Sequence, residues 1–272
     1  MKSRKMLSLY LFLLGITVIT MCLLWSVNNR KPSVRDYHEI AQEGVLRLIT
    51  EYEQSGYYIS GDTVKGFQYE LAQAIADLSG LEVQIQLEMN LPKSFQELGS
   101  GNCDIIARNI PITSEMKETF LFTDPIILNK QVLVQRAASI NDSIQPIRNH
   151  LELAGKTLYI PKDSPALLRL RNLEDEIGDS IHIIEDKLYS SEQLIIMVAK
   201  GDIDYAVCEQ LIAAKAQERY PEIDIATDIS FTQLQSWVLR KESVVLLDSL
   251  NYWFNQIREN GLYDKIYNRY YK

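Results

Sequence analysis

Apolar and polar positions along this chain repeat with two periods, and stretches of each period alternate. Apolar residues at the i, i+3, i+4, i+7 spacing predict an amphipathic helix over 67–79: Leu71, Ala74, Ile75 and Leu78. Over 82–87, apolar and polar residues alternate, which predicts a strand. A loop over 51–65, a helix over 93–99 and apolar strands over 45–49, 104–107 and 131–135 complete this first set. Because helices separate the strands, we expect parallel pairing.

A second set of elements repeats the order of the first. It is predicted to contain strands over 156–160, 181–185 and 204–207 and helices over 165–176 and 191–200. A strand over 235–240 and helices over 243–259 and 262–270 follow. Gly201-Asp202-Ile203-Asp204 echoes Gly101-Asn102-Cys103-Asp104, although so short a match can arise by chance. The pattern therefore predicts an α/β fold with two similar lobes.

The segment 6–27 precedes both sets and holds 22 residues without a charge. As a helix it would be about 33 Å long, which is enough to cross the hydrocarbon core of a bilayer. It predicts a transmembrane anchor, with residues 1–5 in the cytoplasm and a polar linker over 28–43.

Two other interpretations of this segment stay open. One is a cleavable signal peptide, although the apolar run is long and no small-residue cleavage site follows it. The other is a lipoprotein modified at Cys22, although Met21 is bulky where such signals carry a small residue.

The charge of the remaining chain limits its partners. Residues 1–35 carry six basic and no acidic residues, so the other 237 residues carry a formal charge of −14. Such a chain is not expected to bind nucleic acid or an anionic membrane surface. Cys103 and Cys208 lie beside different predicted strands and are interpreted as buried apolar residues rather than a disulfide. The 3 histidines are scattered, so we predict neither a metal site nor a cofactor.

Several short motifs occur in an order that is typical of one family. They are Gly66-Phe67-Gln68-Tyr69-Glu70-Leu71, Gly99-Ser100-Gly101-Asn102-Cys103-Asp104, Ile112-Thr113-Ser114-Glu115 and Phe120-Leu121-Phe122-Thr123-Asp124-Pro125. Over roughly residues 44 to 270 the chain resembles the family 3 extracellular solute-binding proteins. Within that superfamily it resembles in particular the binding module of membrane-bound lytic transglycosylase F, whose catalytic domain would follow the point where this chain stops.

The resemblance implies a bilobed periplasmic-binding-protein-like fold of type II, with two hinge crossovers, after the N-terminal transmembrane helix. Lobe 1 would span 44–135, lobe 2 would span 136–231, and residues 232–272 would return to lobe 1. The hinges would lie near 135–138 and 228–234, and a ligand would bind in the cleft between the lobes.

The same resemblance implies a set of ligand-binding residues on loops at the strand ends. They are Tyr57, Tyr58, Phe67, Asn109, Ile110, Thr113, Asp163, Ser164, Glu209 and Trp237. The tyrosines could form an apolar wall, and Glu209 matches the position that pairs with a ligand ammonium. Alternative roles stay open for these residues: loop packing for Tyr57 and Tyr58, and helix capping for Glu209 and for Asp163.

The chain departs from the family where amino-acid binders hold a carboxylate. Those proteins place an arginine where this chain has Met116, and Lys117 is one position late, about 100° around a helix. An acidic Asp163 at the start of a helix in lobe 2 would also disfavour an anion. The expected ligand is therefore neutral or cationic, and an ordinary free amino acid is not expected.

These points predict a membrane-anchored extracytoplasmic solute-binding protein in the cell inner membrane, with its soluble part in the periplasm. It is not expected to be an enzyme, because the chain stops before a lytic catalytic domain. The alternative is a lytic transglycosylase F-like regulatory or sensing module that binds cell-wall fragments. Expected partners are a small-molecule or muropeptide-like ligand, a permease or a cell-wall enzyme, and the membrane through residues 6–27.

Overall fold

Two mixed sheets form the centres of the two lobes. The computed structural model describes residues 14–21, 35–138 and 145–272. Residues 14–21 are helical, and the rest of the predicted membrane segment 6–27 lies outside the described residues. Within the described part of the chain, no helix has the length and apolar character needed to cross a membrane.

The strands and helices are numbered here in chain order. The strands are β1 (Val45–Thr50), β2 (Tyr58–Ser60), β3 (Thr63–Lys65), β4 (Glu82–Leu87), β5 (Ile105–Pro111), β6 (Phe120–Phe122), β7 (Ile127–Asn129), β8 (Gln131–Arg136), β9 (Thr157–Pro161), β10 (His182–Asp186), β11 (Ala206–Glu209), β12 (Ile223–Asp228) and β13 (Gln233–Arg240). The helices are α1 (Tyr37–Glu43), α2 (Phe67–Ser79), α3 (Leu91–Ser100), α4 (Ser114–Thr119), α5 (Ala166–Ile177), α6 (Ser191–Lys200), α7 (Gln210–Gln217), α8 (Val244–Glu259) and α9 (Leu262–Tyr271), with a 3-10 turn at His150–Leu153.

The sheet of lobe 1 has the strand order β4-β1-β5-β13-β6, and β7 also pairs with β13. The sheet of lobe 2 has the order β10-β9-β11-β8-β12. In each sheet three strands run parallel, namely β4, β1 and β5 in one and β10, β9 and β11 in the other, which confirms the predicted pairing. Strands β13 and β8 pair antiparallel to their neighbours.

Strand β8 lies in lobe 2, whereas the sequence analysis placed 131–135 at the end of lobe 1. Its apolar side chains Val132, Leu133 and Val134 are fully buried against both core clusters of lobe 2, because β8 lies between β11 and β12. The first crossover is therefore at Lys130, between β7 and β8, rather than near 135–138. The second runs through residues 229–232, between β12 and β13.

Residues 35–43 are part of lobe 1, whereas the sequence analysis placed them in a linker. Helix α1 begins with a capping box in which Asp36 and Glu39 bond to each other's backbone amides. Ile40 of this helix is fully buried in the core of lobe 1. A short helix with one buried apolar residue has too weak a periodicity to be recognised in the sequence.

Arg35 leads into a buried ionic network around Asp104, whose side chain is fully buried. Asp104 Oδ1 accepts from Arg35 Nε at 2.9 Å and from an Arg240 guanidinium nitrogen at 3.1 Å. Its Oδ2 accepts from the backbone amide of Arg47 at 3.0 Å. The network joins the segment before α1 to β1, β5 and β13. It therefore connects the first part of lobe 1 with the strand that returns to lobe 1 from lobe 2.

The corresponding aspartate of lobe 2 has a different environment. Asp204 bonds to Arg136 at 2.6 Å, but 61% of its side chain is exposed. Cys103 and Cys208, close to these positions, are both buried and unbridged, which confirms the interpretation from the sequence. Asp104 and Asp204, which end the two similar segments 101–104 and 201–204, therefore occupy corresponding positions but differ in burial.

We expect Asp104→Asn to lower the free energy of unfolding by about 3 kcal/mol or more, because it leaves the buried Arg240 guanidinium without a carboxylate and leaves Arg35 only the half-exposed Glu43. The matched control is Asp204→Asn, for which we expect less than about 1 kcal/mol, because the pair is open to water. Urea denaturation of the two variants and the unchanged chain measures both values. Equal losses of unfolding free energy in the two variants would show that the buried Asp104 network stabilises the fold no more than the exposed pair does.

Candidate functional site

A cleft lies between the lobes at the carboxyl ends of the parallel strands. Its cavity volume is about 780 Å³, a size typical of small-molecule sites. Residues following β1, β4, β9, β10 and β11, together with the end of β5, line it. Open α/β sheets bind ligands at this edge, because the loops that leave the carboxyl ends of the strands converge there.

Glu209 lies on the cleft floor at the end of β11. Its carboxylate accepts from Asn129 Nδ2 at 2.7 Å and from Gln235 Nε2 at 3.0 Å. Asn129 ends β7, just before the first crossover, and Gln235 lies in β13, just after the second. A carboxylate of lobe 2 is thus held by the two strands of lobe 1 that border the crossovers.

Burial, together with neighbouring acids, raises the pKa of two carboxyl groups on this floor. Burial raises the pKa of Glu209 to about 7, and the charge of Glu51 adds to the effect, while the two amide donors and Arg108 oppose it. Burial also raises the pKa of Glu53 well above its usual value, with further contributions from Glu51 and Glu209. The floor therefore holds buried carboxyl groups that bind protons more tightly than exposed ones.

Two buried amide oxygens add to this excess of acceptors. Gln131 is 3% exposed and lines the cleft, and its Oε1 has no hydrogen-bond partner among the described residues. The Oε1 atom of Gln235, whose Nε2 holds Glu209, is likewise unpartnered there. Buried acceptors without donors are costly, so this part of the cleft suits a ligand that brings hydrogen-bond donors.

The structure brings six of the ten predicted site residues to the cleft: Tyr58, Asn109, Ile110, Asp163, Ser164 and Glu209. Asn109 is held in place, because its Oδ1 accepts from Gln68 at 2.6 Å and its Nδ2 donates to the Tyr271 hydroxyl at 3.2 Å. Tyr57 packs edge-on against Tyr69, with 5.6 Å between the ring centroids, and does not line the cleft.

Phe67 and Trp237 lie in the core of lobe 1 and not in the cleft. Both are fully buried. Edge contacts surround Phe67 with four tyrosines of α9: Tyr263, Tyr267, Tyr270 and Tyr271. The Trp237 indole donates to Gln68 Oε1 at 2.6 Å and packs against Phe254 at 5.0 Å. Large aromatic side chains on an inner strand and at a helix start are taken up by packing.

Asp163 does not cap helix α5, which was the alternative role left open for it. Its backbone is left-handed, with φ of 59°, and Pro165 takes the N-cap position. Ser164 Oγ accepts the amide of Ala166 at 3.2 Å instead. The Asp163 carboxylate points across the cleft, where it accepts from Asn90 Nδ2 at 3.0 Å. This hydrogen bond joins the two lobes.

The segment in which amino-acid binders carry their carboxylate-binding arginine, here Thr113 to Met116, lies outside the cleft. Thr113 is exposed, and its hydroxyl caps α4 by accepting from the Met116 amide at 3.2 Å. The Met116 side chain packs against an apolar cluster of lobe 1. Neither residue lines the cleft, so the prediction that Thr113 contacts a ligand finds no support in the geometry.

The predicted set of site residues leaves out several polar residues that line the cleft: Glu51, Glu53, Asn90, Arg108 and Gln131. Glu51 follows β1 directly, and Arg108 lies within β5, which continues beyond its predicted end at 107. A charged residue at the end of an apolar strand is the signal that could have identified both.

Comparisons with known proteins agree with this geometry. The model of the family described as bacterial extracellular solute-binding proteins, family 3, matches residues 46–272. Residues 46–272 thus correspond to a binding-protein fold rather than to an enzyme domain.

Curated relatives carry the name membrane-bound lytic murein transglycosylase F. The protein from Desulfosudis oleivorans is 31% identical over 91% of this chain and 53% of its own length. The protein from Cronobacter sakazakii is 27% identical over 98% of this chain and 51% of its own length. The chain therefore spans about half the length of these relatives.

Solved structures show the same bilobed fold. A mutant of ArgBP from T. maritima superposes with a TM-score of 0.70 at 22% identity, covering 86% of this chain and 97% of that protein. An ancestral amino acid-binding protein, a precursor of cyclohexadienyl dehydratase, gives a TM-score of 0.71 at 22% identity, with coverages of 86% and 98%. At this identity the likeness establishes the fold alone.

The pKa of Glu209 predicts a pH dependence of stability. Because the folded state raises this pKa from 4.5 to about 7, the folded chain binds a proton that the unfolded chain releases, and stability falls as pH rises through that window. Glu209→Gln should remove this loss of stability, which is on the order of 1–3 kcal/mol, and so flatten the plot of unfolding free energy against pH. Urea denaturation between these pH values measures it, with the exposed Glu259→Gln as control. A profile that Glu209→Gln leaves unchanged would contradict the prediction.

Proposed function

Because the chain belongs to family 3 of the bacterial extracellular solute-binding proteins, we propose that it captures a small ligand in the cleft between its lobes, without catalysing a reaction on it. The observation that carries this proposal is the acceptor-rich floor around Glu209. Capture would follow the usual mode of such folds, in which the lobes close around the ligand by a hinge motion at the crossovers.

The charges of the cleft favour a cation. Among the described residues that line it, six carry a carboxylate and three carry a cationic side chain. Glu209 is held by neutral amides, so its negative charge stays available to a ligand. With Met116 packed in lobe 1, the carboxylate of an ordinary amino acid lacks its usual partner. We therefore infer a cationic ligand that has no free carboxylate.

The mouth of the cleft adds an apolar contribution from both lobes. Five large apolar or aromatic side chains line the cleft and are exposed: Tyr52, Ile59, Met89, Leu188 and Tyr189. Leu188 is 84% exposed, the largest value in this group. Burying such surface around a ligand is favourable, so the cation is expected to carry an apolar part.

The names of the curated relatives support a second candidate, in which the same cleft serves a cell-wall enzyme. In this proposal the chain is a sensing module that binds muropeptide-like fragments and acts on a transglycosylase partner. The first candidate would instead deliver its ligand to a permease. Binding assays with free amines and with muropeptides separate them, because only the sensing module should prefer the muropeptides.

We expect L-leucinamide to bind at least about ten-fold more tightly than L-leucine, because it keeps the ammonium and the apolar side chain but lacks the carboxylate. Its affinity should rise as pH increases toward about 7, because the ligand competes with a proton for Glu209. Glu209→Gln should weaken it at least about ten-fold.

Calorimetry on the full chain measures these affinities. Neutral N-acetyl-L-leucinamide is the matched control ligand, and it should bind more weakly than L-leucinamide. Tighter binding of L-leucine, or of the neutral amide, would contradict the preference for a cation.

The segment 6–27 is proposed as a membrane anchor that leaves residues 35–272 in the periplasm. The full-length protein should stay in the membrane fraction after a high-salt wash, because about 20 apolar residues suffice to span a bilayer. A variant that lacks residues 6–27 should be released. Mature protein that begins beyond residue 27 would contradict the anchor, and a lipid on Cys22 would replace it with lipoprotein attachment.

A further inference from the structure

The cleft contains an arginine that already holds a carboxylate of the same chain. Arg108 lies near the middle of β5 and lines the cleft. Its guanidinium forms an ion pair with Glu51, and the side chains are only 14% and 13% exposed. Its other terminal nitrogen reaches the backbone oxygen of Met89 at 3.5 Å, a marginal hydrogen bond.

Arg108 is the one arginine in the described lining of the cleft. Lys162 and Lys187 are the other cations there, and they lie on loops of lobe 2. A guanidinium offers a planar pair of donors that matches a carboxylate, whereas an ammonium acts as a point charge. In this structure the carboxylate that pairs with the Arg108 guanidinium is that of Glu51.

We propose that Glu51 is a specificity-determining residue that occupies Arg108 as an internal carboxylate and so excludes ligands that carry one of their own. This inference rests on the proposed function, because it concerns selection among ligands of the same cleft. The family position of the clamp, Met116, lies in an apolar cluster, so the selection uses a different residue and a different strand.

Displacement of Glu51 by a ligand carboxylate would be unfavourable for an electrostatic reason. The released carboxylate would remain near Glu53 and Glu209, since its charge acts on both groups. The ionised form of Glu209 would repel this charge, and a buried carboxylate without a partner is costly. Glu51 therefore competes with a ligand carboxylate at a high effective concentration, because it belongs to the same chain.

The test compares Glu51→Gln with Glu192→Gln in the full chain. Both changes remove one negative charge from the cleft lining, but Glu192 lies on lobe 2, where Arg219 is the charge that acts on it. We expect Glu51→Gln to tighten L-leucine binding at least about ten-fold, because Arg108 becomes available. Glu192→Gln keeps the ion pair between Glu51 and Arg108, so its gain in L-leucine binding should be several-fold smaller. Calorimetry with L-leucine and L-leucinamide measures both.

A second variant and a chemical probe keep the test independent of how Glu51→Gln folds. Arg108→Gln releases Glu51, so L-leucinamide should bind more tightly while L-leucine stays excluded. Phenylglyoxal, which modifies arginine, should label Arg108 faster in Glu51→Gln than in the unchanged chain or in Glu192→Gln, as peptide mapping would show.

The inference is overturned if Glu51→Gln gains no more L-leucine binding than Glu192→Gln, or if Arg108→Gln weakens L-leucinamide. A failure of the proposed function looks different, because the unchanged chain would then show no preference for L-leucinamide over L-leucine. The two results come from different comparisons, so each can fail while the other stands.

Discussion

A single carboxylate, that of Glu209, is hydrogen bonded to both strands through which the chain passes between its lobes. Asn129 ends the strand before the first crossover, and Gln235 lies in the strand after the second. The same carboxylate forms the floor of the cleft. The connection between the lobes and the recognition of a ligand thus share one group, and a change in the charge of that group acts on both.

The floor carries more acceptors than the protein can supply with donors. Glu53 and Glu209 both hold protons more tightly than isolated carboxyls, and Gln131 presents an oxygen without a partner. A protein that buries such groups loses stability unless something neutralises them. Protons do so in the empty cleft, and a cationic ligand would do so in the occupied one. The unfavourable electrostatics of the empty site therefore become a source of affinity.

The sequence predicts elements well where periodicity is strong, and predicts contacts poorly. Helix α2, strand β4 and helix α6 have the predicted bounds. The two helices combine a helical period with a glycine at the C-cap, and the strand alternates strictly between apolar and polar residues. Strand β8 was assigned to the wrong sheet, because its apolar run suits an inner strand of either lobe. The pair of Glu51 and Arg108 joins residues 57 positions apart, and no local pattern reports such a distance. The family resemblance implies Phe67 and Trp237 as ligand contacts, but both side chains are buried in the core of lobe 1.

The left-handed backbone of Asp163 has a consequence for the distribution of open and closed lobes. An aspartate in this conformation costs about 1–2 kcal/mol, and its hydrogen bond to Asn90 across the cleft offsets part of that cost. Separation of the lobes would break this bond, so the Asp163 carboxylate would lose its hydrogen bond across the cleft. The empty protein is therefore biased toward the arrangement in which Asn90 and Asp163 meet, so a ligand has less of the closing free energy to supply. Protein sampled without a ligand should already visit that state.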